Sequence, residues 1–252
     1  MLVLLFCSEP KLFTMKNILI PTTLEGDTAG AVATAIKHAA SGCCTLVLIL
    51  FSEAPDAYSA SECLGRMSPK VSLTNNTTLM RCRALVEAAP HCNLQVHHQY
   101  GISAPLLRNL LEYKNIDMIV LPESFRTSRE KIYQYCTKLL LKSKYPILHT
   151  GAIAHRSRMS NALYLEHPDS SVDAGEVAAL LKKYPYKVVS HACLSEMQNP
   201  EDLRPLLAET IFKNDIDVVI ATRNPERKGS AKKDEGSYDR ILGLPVLSLY
   251  EV

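Results

Sequence analysis

Short apolar runs alternate with longer stretches of helical spacing along most of the chain. "NILIPT" (17–22) is apolar and β-branched and ends near Pro21, whereas "GAVATAIKHAA" (30–40) sets good helix formers at helical spacing. "TLVLILF" (45–51) is again a continuous apolar run, as expected of a strand covered on both faces. "TTLMRCRALVEAA" (77–89) then reads as a helix and "NLQVHHQY" (93–100) as a strand. A turn at Gly101, a helix near 104–114, the strand within "NIDMIVLP" (115–122), a helix near 128–143 and "YPILHTG" (145–151) complete the series. Five strands linked by four crossover helices predict a parallel, doubly wound α/β sheet.

The pattern then starts again. "NALYLEHPDSSVDAGEVAALLKK" (161–183) matches "NILIPTTLEGDTAGAVATAIKH" (17–38), with Ala174-Gly175 lying 145 places after Ala29-Gly30. Further on, "NDIDVVIAT" echoes "KNIDMIVLP", and Asp217 follows Asp117 by 100 places. "LPVLSL" likewise echoes "YPILHT", Pro245 matching Pro146. An offset that shrinks by 45 residues means that the second copy lacks one helix and one strand, which correspond to residues 52–100 of the first. The expected organisation is therefore 15–151 for a five-stranded unit and 161–252 for a shortened unit of about four strands.

The segments "MKNILIPTT", "VHHQYGISAPLLRNLLEYKNIDMIVLP" and "KSKYPILHT" together resemble a universal stress protein domain, and 161–252 resembles the same family more weakly. The resemblance implies two Rossmann-like units of the adenine-nucleotide-hydrolase type in tandem. It also implies that the final strands "YPILHT" and "LPVLSLYEV" lie near a pseudo-dyad. The chain would then be an intrachain pseudo-dimer, or each final strand would pair with a second chain in a homodimer.

Nucleotide-binding members of that family carry an acidic residue after the first strand and G-x-x-G-x9-G-[ST] after the fourth, because phosphate must approach bare backbone N–H groups. Here the acidic position falls at Thr23, or at His167 in the second copy, and the first two glycines fall at Pro122 and Phe125. No Gly-Ser pair occurs near Tyr133 to Cys136. Proline offers no N–H and phenylalanine crowds the space. The glycine cradle is absent, so no cofactor is expected, with ATP or AMP as the alternative.

If a ligand is held without glycines, Thr22, Thr23, Ser124 and Arg126 are the candidates, at the carboxyl ends of adjacent strands. Arg126 or Arg129 would meet a phosphate as a fork. The competing reading gives this stretch to helix capping, with Thr127 or Ser128 as N-cap and Glu130 and Lys131 in solvent.

Composition narrows the function further. Of 252 residues, 47% are hydrophobic and the net charge is +2, which suits a packed core and gives no strong pull toward nucleic acid or membrane. Eight cysteines include no CxxC pair and several sit in apolar runs, which points to reduced thiols in the cytoplasm. His91, Cys92, His97 and His98 suggest a metal, but adjacent strand residues face opposite sides and no second cluster has ligand spacing, so no metal site is expected in the chain. "RNPERKGSAKK" (223–233) carries Arg223, Arg227, Lys228, Lys232 and Lys233 and reads as a solvated loop. No nucleophile motif, metal-protease motif or P-loop occurs, so catalysis is not expected.

The opening "MLVLLFCSEPKLFT" has no basic residue ahead of its apolar part and no small-residue cleavage site after it. It makes a poor signal peptide, and 1–14 are taken as an extension outside the fold. The expected protein is a cytoplasmic stress-response regulator that binds an unidentified protein partner or small ligand. The alternatives are a nucleotide-binding or hydrolysing member, and a non-catalytic scaffold.

Overall fold

A computed structural model describes residues 16–39, 42–54, 61, 73–151, 160–167, 170, 172, 174–182, 184–194, 203–224 and 238–251. In the first half, β1 (Lys16–Pro21), α1 (Thr28–Ala39), β2 (Cys44–Ser52), α2 (Leu73–Glu87) and β3 (Cys92–Tyr100) alternate in chain order. There follow α3 (Ala104–Tyr113), β4 (Met118–Pro122), α4 (Glu123–Thr127), α5 (Lys131–Leu141) and β5 (Ile147–Thr150). The second half runs β6 (Asn161–Glu166), α6 (Ala174–Leu181), β7 (Lys187–Cys193), α7 (Leu203–Lys213), β8 (Val218–Arg223), α8 (Tyr238–Leu242) and β9 (Val246–Tyr250). It has no counterpart of α2 and β3 among the described residues, as the shrinking repeat offset requires.

These strands form one sheet in the order β3-β2-β1-β4-β5-β9-β8-β6-β7. Each half is parallel, with the same local order of strands. The halves join where β5 and β9 pair antiparallel, Leu148 opposite Leu247. The final strands are therefore satisfied within the chain, which corrects the alternative that each pairs with a second copy. Side chains alternate between the two faces. Ile18, Ile20, Ala162, Tyr164, Val218 and Ile220 enter a core shared by both halves. Leu19 and Ile119 enter a second core belonging to the first half, and Leu163, Leu165 and Val219 a third belonging to the second half.

The repeat is visible in atomic detail at the ends of α3 and α7. Asn115 and Asp215 adopt left-handed conformations at φ 47° and 48°. Just beyond them, Ile116 N–H donates to Leu111 O and Ile216 N–H to Ile211 O, each at 3.0 Å. This is a Schellman-type stop, with Asn and Asp in the role that glycine often takes. The next residue in each copy clasps the first strand: Asp117 accepts from Asn17 N–H at 2.9 Å, and Asp217 from Asn161 N–H at 3.2 Å.

Two expectations fail. The helix foreseen over 128–143 is α5, but Thr127 and Ser128 do not start it: Thr127 ends the separate short helix α4, and the cap of α5 is Glu130 without a side-chain bond. Thr127 Oγ1 donates to Glu123 O within α4, and Ser128 Oγ accepts from Glu130 N–H, so neither hydroxyl caps α5. Arg223 is not part of a solvated loop. It ends β8, is buried, and donates to the carbonyls of Leu141, Ser143 (2.8 Å) and Tyr145 (2.5 Å), closing the C-terminus of α5 from the other half. Residues 225–233 of that basic stretch, like residues 1–15, lie outside the described residues.

Candidate functional site

Open α/β sheets bind ligands outside the carboxyl ends of their strands, at the point where the strand order reverses. Here that point lies between β1 and β4, which pair through Ile18 with Met118 and Leu19 with Ile119. The rim is made of the residues after β1 and the short helix α4 after β4.

Thr22 is fully buried. Its Oγ1 lies 2.7 Å from Thr28 Oγ1 and accepts Leu24 N–H at 2.8 Å, which holds Leu24 at φ 59°. Thr23 Oγ1 and Ser124 Oγ meet at 3.2 Å across the two strands. Asp27 supplies the group that organises the rim. Its carboxylate accepts Ser124 N–H at 2.8 Å through Oδ2 and Ser124 O–H at 2.6 Å through Oδ1. The Ser124 N–H in the first turn of α4 is thus held by an internal anion.

The position of the second family glycine is equally closed. Phe125 is completely buried, with its ring centroid 6.0 Å from that of Phe51 and 5.2 Å from that of Tyr133. It pins α4 to the core of the first half instead of leaving backbone exposed to a ligand.

Arg126 turns away from this rim. It makes a 2.7 Å ion pair with Asp239 of α8, and its other terminal nitrogen lies 3.4 Å from His149 Nδ1. Beside it, Arg240 donates to Glu123 at 2.6 Å. The junction between halves is therefore lined by charged pairs. Burial raises the Asp239 carboxyl against the pull of Arg126. Burial also pushes His149 down to about 3, helped by the neighbouring guanidinium groups of Arg126 and Arg223. Of the four candidates, Thr22, Thr23 and Ser124 gather at one rim, and Arg126 serves the junction.

The same rim in the second half, after β6 and β8, is built around Ser170. Its hydroxyl lies 3.0 Å from Thr222 Oγ1 and donates to the buried Glu251 at 2.9 Å. His167, at the family's acidic position, is half-buried. Asp27 had a visible signal, since Asp directly before a helical run is a favoured cap. Nothing in the sequence pattern marks His149 or Asp239 as neighbours of Arg126.

No protein-family model matches the chain. Among curated sequences it is 25% identical over 154 residues to a dTTP/UTP pyrophosphatase of Salmonella typhimurium, covering 52% of this chain and 76% of that enzyme. Among solved structures it superposes on a universal stress protein from Archaeoglobus fulgidus with a TM-score of 0.56 and 11% identity, covering 93% of this chain and 96% of that one. A protein of unknown function from Pseudomonas aeruginosa PAO1 gives a TM-score of 0.45 at 13% identity, covering 93% of this chain and 92% of its own. What the Archaeoglobus protein shares at that identity is architecture over nearly the whole length: this chain has the fold of the universal stress proteins.

Proposed function

We propose that this protein is a stress-response regulator of the universal stress protein type that acts in the cytoplasm by binding a protein partner or small ligand, without turnover. The observation that carries the reading is the Asp27 carboxylate on both donors of Ser124. An anion already sits where a phosphate would bind, and a second one brought close would be repelled. Phe125 in the core supports the same reading, because the loop cannot open without exposing that ring. No helix among the described residues is long and apolar enough to cross a membrane.

Thermal melts with and without millimolar Mg-ATP and AMP test it. A bound nucleotide at about 100 times its Kd adds about 2.7 kcal/mol, which is several degrees for a chain of this size. The wild type is expected to show no shift. A wild-type shift that Ser124→Ala abolishes would overturn the reading and place a nucleotide on the rim.

The similarity to a pyrophosphatase favours one second reading, hydrolysis of nucleoside triphosphates. It predicts pyrophosphate release from dTTP or UTP in the presence of Mg2+. Release at a rate proportional to protein across chromatographic fractions would establish turnover and displace the binding-only proposal.

A further inference from the structure

At the free edge of the second half, three side chains of different donor type converge. Glu166 ends β6, and His191 and Cys193 lie two residues apart on the edge strand β7. His191 Nε2 is 2.6 Å from Glu166 Oε2, and Cys193 Sγ is 3.7 Å from the same oxygen and 3.9 Å from the imidazole nitrogen. Among the described residues this is the group of three ligand-type atoms that lie within 4.8 Å of one another.

A break in strand register puts them on one face. Ala162 pairs with Val188, but Leu163 pairs with Ser190, so Val189 is an extra residue without a partner on β6. Beyond it, Tyr164 faces His191 and Glu166 faces Cys193. In a regular ladder Tyr164 would face Ser190 and Glu166 would face Ala192, and both potential ligands of β7 would point to the other side. Bulges commonly re-aim side chains in this way beside functional sites. Tyr164 then fixes the imidazole, stacking on it at 5.2 Å and 11° while its own hydroxyl donates to Val172 O. A ring held in orientation by a buried neighbour is what a metal ligand requires.

We propose that Glu166, His191 and Cys193 bind a zinc-like divalent cation. A nitrogen, a sulfur and a carboxylate oxygen suit the borderline-soft Zn2+, whereas a thiolate disfavours Mg2+ and Ca2+. Tetrahedral bonds of about 2.0–2.3 Å place such donors roughly 3.3–3.6 Å apart. The two contacts to sulfur need to shorten by only a few tenths of an ångström, and the His191–Glu166 contact to open by less than about 1 Å. Both of those side chains are partly solvent-exposed, at 38% and 32%, so the adjustment meets no packed wall. On binding, the thiol proton passes to solvent, the neutral imidazole of His191 ligates through Nε2 with its proton on Nδ1, and the fourth position stays open to water or a partner's ligand.

Cobalt(II) titration of the full chain, with its thiols kept reduced, reads this site directly. One Co2+ per chain should bind, with tetrahedral-type visible bands and a thiolate-to-cobalt charge-transfer band, and Zn2+ should bleach both. Cys193→Ser should lose the charge-transfer band. Glu166→Gln and His191→Gln should each weaken binding roughly tenfold or more while leaving the circular dichroism spectrum unchanged. Cys43→Ser, which removes another exposed thiol, should change nothing. No band at excess cobalt, or a band that survives Cys193→Ser, would overturn the proposal.

Discussion

Arg126 and Asp239 form a 2.7 Å ion pair that joins α4 of the first half to α8 of the second, with side chains only 9% and 0% exposed. A charge pair so thoroughly removed from water holds its place through mutual dependence. Removing one partner leaves the other charged and buried, which costs about 3–5 kcal/mol, whereas replacing both by apolar residues is often close to neutral. Arg126→Met should therefore lower the urea unfolding free energy by about that amount, and Arg126→Met with Asp239→Leu should recover most of the loss. A double-variant loss equal to the sum of the losses of Arg126→Met and Asp239→Leu measured singly would mean that the pair is not coupled.

Asp117 and Asp217 occupy the same place in the repeat but carry different loads. Asp217 is 5% exposed and its Oδ2 accepts from Ser160 N–H (3.0 Å), Ser160 O–H (3.3 Å) and Asn161 N–H (3.2 Å). Asp117 is exposed and accepts from Asn17 N–H at 2.9 Å. Leaving a buried donor unsatisfied costs about 1–3 kcal/mol, and water replaces an exposed acceptor at little cost. Asp217→Ala should thus lower stability by about 1–3 kcal/mol in urea titrations, and Asp117→Ala by clearly less. Equal effects would show that the clasp matters for strand entry regardless of burial.

Much of this architecture can be read from the chain, because it rests on local rules. Asn115 and Asp215 end helices before an isoleucine in both copies, so the repeat shows in sequence wherever a stop motif and a buried strand coincide. The missing helix and strand follow from the shrinking offset alone. What resists reading is contact between distant segments. Arg223 looks like the start of a basic loop, and only the packing of α5 against the junction turns it into a buried cap. The clamp of Asp27 on Ser124 spans 97 residues, and the bulge at Val189 that aligns His191 with Glu166 leaves no residue signature. Those features depend on where the two halves and their edge strands come to lie, which periodicity does not record.

Phe125 stands where the family pattern places a glycine, and its ring is part of the core of the first half, with Phe51, Leu107 and Ile132. Trimming a buried aromatic to alanine costs about 3–5 kcal/mol, the lost transfer free energy adding to that of the cavity. Phe125→Ala should lower stability by that amount in chemical denaturation and should leave the rim closed by Asp27. A loss below about 1 kcal/mol would mean that the surrounding helices collapse onto the vacated space.

His38 and His149 make stability depend on pH in a stated direction. His38 Nδ1 lies 2.5 Å from Tyr186 OH in the core, and burial together with Lys16 pushes its pKa down to about 3. His149 is held at about 3 by burial and by Arg126 and Arg223. In the unfolded chain both imidazoles titrate near 6.5. Below that pH the unfolded state binds more protons than the native one, so stability is flat above about pH 6.5 and falls as pH drops from there toward 3. Each histidine contributes a slope of up to about 1.4 kcal/mol per pH unit. Urea midpoints of the wild type should therefore fall steadily between about pH 6.5 and pH 4.5, where ordinary carboxylates contribute less. His149→Gln should remove one histidine's share of that slope, and His38→Gln with His149→Gln most of it. A slope unchanged in the double variant would show that these imidazoles already carry their proton in the native state.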